Sequence, residues 1–170
     1  MAPTDPADET PLTRAKALAL RALAARARSE AEIRARLGRA GLGEEAAEVV
    51  RWLAGLGYLD DRALAAARAR SLLRPGRLGP RLVERRLLAA GIDGALAREA
   101  VAGALESGGG GARAELALCL ALARRRAGGD PEELADREKA RLARFLAGRG
   151  FSGRAIAQVM GLREDLDDEV

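Results

Sequence analysis

Histidine is absent from this chain of 170 residues, cysteine occurs once, and aromatic residues make up only 2%. The missing histidine removes the most frequent general base, the usual triad member and the commonest transition-metal ligand, so the chain is read as a non-enzyme without metal or cofactor. Cys119 stands alone inside the stretch LALCLALA. One thiol excludes a disulfide framework and a Cys-rich metal site, and its apolar setting reads as a buried small hydrophobe. Val, Ile and Thr, the residues that suit pleated sheets, total only 12 positions, which nearly excludes strands. No apolar run approaches the roughly 18 residues that a bilayer crossing needs, and the opening MAPTDPADETP has no apolar signal core. A soluble, cytoplasmic protein without a membrane contact is expected.

What fills the chain is alanine and leucine, at 39 and 27 positions, together with 29 basic and 25 acidic residues. Ala and Leu are strong helix formers, and the expected class is all-α. The charge is uneven. Residues 1–11 carry three acids and no base, and residues 164–170 (EDLDDEV) carry five acids and no base, which leaves residues 12–163 with 29 bases, 17 acids and a net charge of +12. A basic body with acidic ends suits a protein that meets polyanions or acidic protein surfaces. All but Lys16 and Lys139 of the bases are arginine, a skew that a genome rich in G and C also produces.

With Pro3, Pro6 and Pro11, residues 1–11 read as a disordered leader. Apolar spacing then turns helical. Leu12, Ala15, Ala19, Ala22 and Leu23 predict a first helix ending near Arg28, and Ser29 with Glu32 forms a capping box that opens a second, running to about Ala40. Gly41 and Gly43 stop it, and Glu44, Glu45 and Glu48 are expected to fill the first half of a third helix whose buried face is Val49, Val50 and Leu53.

One pattern recurs three times: Ile33-x3-Leu37-x3-Gly41-Leu42, Val83-x3-Leu87-x3-Gly91-Ile92 and Leu142-x3-Leu146-x3-Gly150-Phe151. Each copy reads as a helix ending at a glycine in the left-handed C-cap conformation, followed by an apolar residue that packs back. A further helical stretch follows each, with Val50, Val101 and Val159 at similar depth. The implied fold is three tandem three-helix modules in an elongated, curved right-handed or solenoid-like array: a leader at 1–11, modules at 12–60 and 61–107, a glycine linker with the third module at 108–163, and an acidic tail at 164–170. Modules of about 50 residues have marginal cores, so neighbours are expected to lean on one another.

Candidate chemistry is sparse. Asp60-Asp61 has no converging ligands for a metal or acid/base role and reads as a cap for the helix carrying Arg68 and Arg70. The glycine run 108–111 has neither a preceding strand nor a following Lys-Ser or Lys-Thr, so it is no phosphate loop. The informative positions are basic. Arg81 and Arg85 lie opposite the stripe of Val83, Leu87 and Ala90, while Arg70, Arg74 and Arg77 surround the Pro75-Gly76 break, where guanidinium groups on a turn can converge on phosphate or carboxylate. Arg124, Arg125 and Arg126 end a helix before Gly128, which suits both partner binding and the helix dipole; Arg39 and Arg149, each close before a C-cap glycine, are explained by the dipole alone. The plain competing account is a solvated arginine face.

Four segments make the chain recognisable: RARSEAEIRARL at 26–37, GYLDDRALA at 57–65, GPRLVERRLLAAGI at 79–92 and REKARLARFLAGRGFSGRAIAQVM at 137–160. In this order and spacing they resemble the RecX family of regulators of the bacterial RecA recombinase, with Leu64 and Ala67 standing where relatives usually carry aromatic residues. The resemblance implies tandem three-helix repeats, binding in the groove of the RecA filament on single-stranded DNA, and inhibition of the filament's ATPase, strand-exchange and coprotease activities. The expected partner-binding residues are Arg70, Arg74, Arg77, Arg81, Arg85, Arg124, Arg125 and Arg126, on a monomer with weak direct DNA binding at most. The alternative is a helical protein that reads DNA directly, since short helical triads also present recognition helices to the major groove.

Overall fold

Alanine and leucine at helical spacing go into helices throughout the computed structural model, which describes residues 10–75 and 77–162. The helices are α1 (Pro11–Ala25), α2 (Glu30–Arg39), α3 (Ala46–Gly55), α4 (Asp61–Leu72), α5 (Pro80–Ala89), α6 (Gly94–Glu106), α7 (Gly111–Ala127), α8 (Asp136–Gly148) and α9 (Gly153–Val159), with a 3-10 turn at Pro131–Glu133. Among the described residues there is no strand, and no helix is long and apolar enough to cross a membrane. The acidic tail and all but the last two residues of the leader lie outside the described residues.

The threefold pattern is a burial pattern. Ile33, Leu37 and Leu42, then Val83, Leu87 and Ile92, then Leu142, Leu146 and Phe151 are all buried, as are Val50, Val101 and Val159. Gly41, Gly91 and Gly150 adopt φ of +72°, +76° and +91°, the left-handed conformation that the pattern requires. At two of them the Schellman pairing is complete: Leu42 N–H donates to Leu37 O and Gly41 N–H to Gly38 O, and Phe151 N–H donates to Leu146 O and Gly150 N–H to Ala147 O.

The chain forms two compact units, one running up to Leu64 with Ala90–Asp93 added, the other made of Ala65–Ala89 and the chain from Gly94 onward. In the first, α1, α2 and α3 pack on one another around Ala15, Ala19, Ile33, Leu37, Val49 and Leu53. In the second, α7, α8 and α9 enclose Cys119, Leu122, Leu142, Leu146, Phe151 and Met160. The small alanines let helices approach closely, so a core is built with almost no aromatic residues.

Three local expectations shift. Thr10 caps α1 by accepting from Thr13 N–H, so the helix starts at Pro11, inside the expected leader. It ends at Ala25 and not near Arg28, because Arg26 is extended (φ −169°) and Arg28 Nε donates back to Ala22 O at 2.9 Å, satisfying a last-turn carbonyl. Glu44 and Glu45 precede α3 in a turn closed by Ala46 N–H on Gly43 O, which leaves Glu48 as the one acid in its first turn.

Ser29 and Gly79 occupy the same place in the repeat, four residues before Ile33 and Val83, and make the same contact by different means. Ser29 Oγ accepts from Glu32 N–H at 3.0 Å in the capping box and donates to Ala90 O at 2.5 Å. Gly79 donates its backbone N–H to Arg149 O at 2.8 Å, and Arg81 N–H donates to Gly150 O at 3.0 Å. Ala90 and Arg149 each precede a C-cap glycine, so the start of one helix sits on the C-cap turn of another in both units. Any side chain at Gly79 would meet the Gly150 carbonyl carbon at 2.5 Å, so only glycine permits this approach.

Candidate partner-binding surface

Capping chemistry accounts for the paired carboxylates. Asp60 Oδ1 accepts from Ala63 N–H at 2.8 Å at the start of α4, as expected. Asp61 Oδ1 accepts instead from Glu30 N–H at 3.0 Å, at the start of α2. Two adjacent acids therefore satisfy the orphan donors of two different helices.

All eight arginines singled out by the sequence are exposed: Arg70 on α4, Arg74 and Arg77 on the connection to α5, Arg81 and Arg85 on α5, and Arg124, Arg125 and Arg126 at the end of α7. All eight fall in the second compact unit. Among the described residues none of their side chains makes an ion pair or hydrogen bond, and Arg126 alone has a side-chain partner, the ring of Phe145. Two ion pairs, Arg26–Glu32 at 2.6 Å and Arg34–Glu30 at 2.8 Å, lie at the start of α2 in the first unit. There the Glu32 hydrogen bond holds the Arg26 proton more firmly than usual.

Part of the set is drawn together by residues that sequence reasoning passed over. Phe145 of α8 lies half-buried, with Arg126 at 5.5 Å and Arg149 at 4.9 Å from its ring centre. The contact is a cation–π attraction from two sides of the chain at once. Arg125, Arg126, Arg149, Phe145 and Leu122 line a cleft of ≈ 310 Å³, and beside it Arg126, Arg141, Glu138, Leu134, Leu142 and Phe145 line another of ≈ 230 Å³. The hydrogen bonds from Gly79 and Arg81 to the 149–150 turn bring the first turn of α5 beside this region. Arg149 thus does more than complement a dipole. The missed signal is the spacing Arg141-x3-Phe145-x3-Arg149, which lines up one row of a helix. Of the eight, only Arg125 and Arg126 line a cleft; Arg70, Arg74, Arg77, Arg81, Arg85 and Arg124 line neither.

Comparison with known proteins is consistent along the chain. Residues 15–50 match the model for the first three-helix domain of RecX and residues 114–160 the model for the third. A regulatory protein RecX from Acidithiobacillus ferrooxidans is 37% identical over 155 residues, covering 89% of this chain and 91% of the relative. Another, from Thermus thermophilus, is 41% identical over 138 residues, covering 81% and 83%. The crystal structure of RecX from Lactobacillus salivarius shares the fold at a TM-score of 0.74 and 19% identity, over 89% of this chain and 95% of that one. A second RecX crystal structure gives 0.72 and 21%, over 89% and 73%.

Proposed function

The chain belongs to the RecX family of regulatory proteins, and from that premise we propose that it is a non-catalytic negative modulator of the RecA recombinase. It binds the RecA filament on single-stranded DNA and lowers its ATPase, strand-exchange and coprotease activities. It acts as a cytoplasmic monomer with three modules, at 12–60, 61–107 and 108–163; the matches to the first and third family domains, at 15–50 and 114–160, lie within two of these spans.

The observation that carries the reading is the set of exposed arginines without anionic partners among the described residues, from the start of α5 through Arg149 to Arg125 and Arg126. Guanidinium groups left unneutralised on a helical body are suited to phosphates and carboxylates of a nucleoprotein assembly, where Arg offers paired donors. The docking face is Arg70, Arg74, Arg77, Arg81, Arg85, Arg124, Arg125 and Arg126, joined by Arg149.

The test is to add the protein to RecA filaments preformed on single-stranded DNA while following ATP hydrolysis and filament length. Hydrolysis should fall and filaments should shorten or stop growing, with naked DNA bound much more weakly than the filament. Unchanged hydrolysis with sequence-selective binding to bare duplex would replace this reading with that of a direct DNA reader.

A further inference from the structure

The two clefts around Phe145 combine apolar and cationic lining. Leu122, Leu134, Leu142 and Phe145 supply the apolar part of their lining. Their rim carries four arginines, Arg125, Arg126, Arg141 and Arg149, against one carboxylate, Glu138. None of the four has an acidic partner among the described residues. Arg126 and Arg149 are both held over one ring, at 5.5 and 4.9 Å from its centre, so each guanidinium is pre-oriented, which lowers the entropy cost of an anion joining it. Because guanidinium groups attend the ring, stacking of a nucleobase on Phe145 is disfavoured. Apolar side chains beside exposed arginines instead fit a short peptide in which an aliphatic side chain is flanked by carboxylates.

The chain contains such a segment. Residues 164–170, Glu-Asp-Leu-Asp-Asp-Glu-Val, set Leu166 among five acids. Gly161, next to the last described residue, lies against the Glu132 side chain, and Glu132 is two residues from Leu134 in the wall of the cleft that holds Arg141. Eight residues beyond Leu162 span up to about 26 Å at about 3.3 Å each, several times the reach between neighbouring turns. Glu132 at the exit repels an acidic segment, while the arginine rim attracts it. We propose that the two adjoining clefts, lined by Arg125, Arg126, Arg141, Phe145 and Arg149, are the docking site of the chain's own acidic segment 164–170, which competes there with any acidic partner. The docking itself needs no RecA and does not depend on the reading above.

The experiment compares the full chain with one ending at Arg163, each titrated with a fluorescein-labelled peptide of sequence EDLDDEV whose carboxyl end is amidated. The shortened chain should bind the peptide, and the full chain at least about tenfold more weakly, because a tethered segment competes at an effective concentration on the order of millimolar. In the shortened chain, R126E/R149E should abolish the binding with helicity unchanged; R141E, at a position that touches no ring, gives the same reading should the double variant fail to fold. Equal binding to both chains, no binding to the shortened chain, or binding indifferent to these substitutions would overturn the proposal.

Discussion

Within α5, three residues separate surface from core. Arg81 and Arg85 are exposed, while Leu87 is fully buried. Changing both arginines to Glu should shift stability by no more than about 0.5 kcal/mol each, as for surface positions, yet place two like charges against an anionic partner. Inhibition of RecA should drop sharply while the melting temperature holds. Leu87→Ala should instead cost about 2–5 kcal/mol through lost burial and a cavity, visible as a lower midpoint in urea. Cys119 supplies a second test. Burial pushes its thiol up from 9.0 to about 12, with Glu115 adding to the shift. The folded thiol holds its proton more tightly than the unfolded one, so this contribution is complete below pH 9.0 and is lost as pH climbs toward about 12. Wild type should therefore lose more stability than Cys119→Ala between pH 9 and 11 in denaturant titrations, and native Cys119 should resist a thiol reagent at pH 8.

At the scale of elements, the cap positions carry the argument. Ser152 caps α9 by accepting from Ala155 N–H, and among the described residues its hydroxyl has no second partner, so Ser152→Ala should cost about 1 kcal/mol. Ser29 caps α2 and also donates to Ala90 O while fully buried. Ser29→Ala removes the cap and leaves that carbonyl short of a donor, so about 2–3 kcal/mol should be lost, and urea unfolding of the two variants side by side checks the difference. The contrast also marks what the sequence reveals. The capping box Ser29/Glu32, the three glycine turns and every buried position of the threefold pattern are legible, because 3.6-residue periodicity and φ > 0 leave local traces. The bond from Ser29 to Ala90 and the crossing of Asp61 to the start of α2 leave none, since each joins residues far apart in sequence. Gly79 looks like a helix-start residue preceding Pro80, and only the approach of the 149–150 backbone shows why a side chain is excluded there. The candidate surface was half legible for the same reason. Exposure of Arg81 and Arg85 follows from a helical wheel, whereas the gathering of Arg126 and Arg149 on Phe145 needs α7 and α8 side by side.

At the scale of the molecule, charge is the property that composition sets and folding does not cancel. Residues 12–163 carry +12, and among the described residues Arg70, Arg74, Arg77, Arg81, Arg85, Arg124, Arg125 and Arg126 form no ion pair. A surface of this kind attracts a polyanion by releasing its condensed counterions, so affinity should depend on salt in proportion to the phosphates contacted. Four to six of the arginines meeting phosphate would give a slope of log affinity against log salt of about −3 to −5. The measurement is a filament-binding titration between 50 and 300 mM salt. Each arginine-to-glutamine change on the true face should flatten the slope by somewhat less than one, because one counterion fewer is released. A change elsewhere leaves the slope alone, so the series maps the docking face without reference to the size of any one effect. An affinity independent of salt would assign the contact to apolar surface instead. The exposed Leu56 and Tyr58, which follow α3, would then be the first residues to substitute.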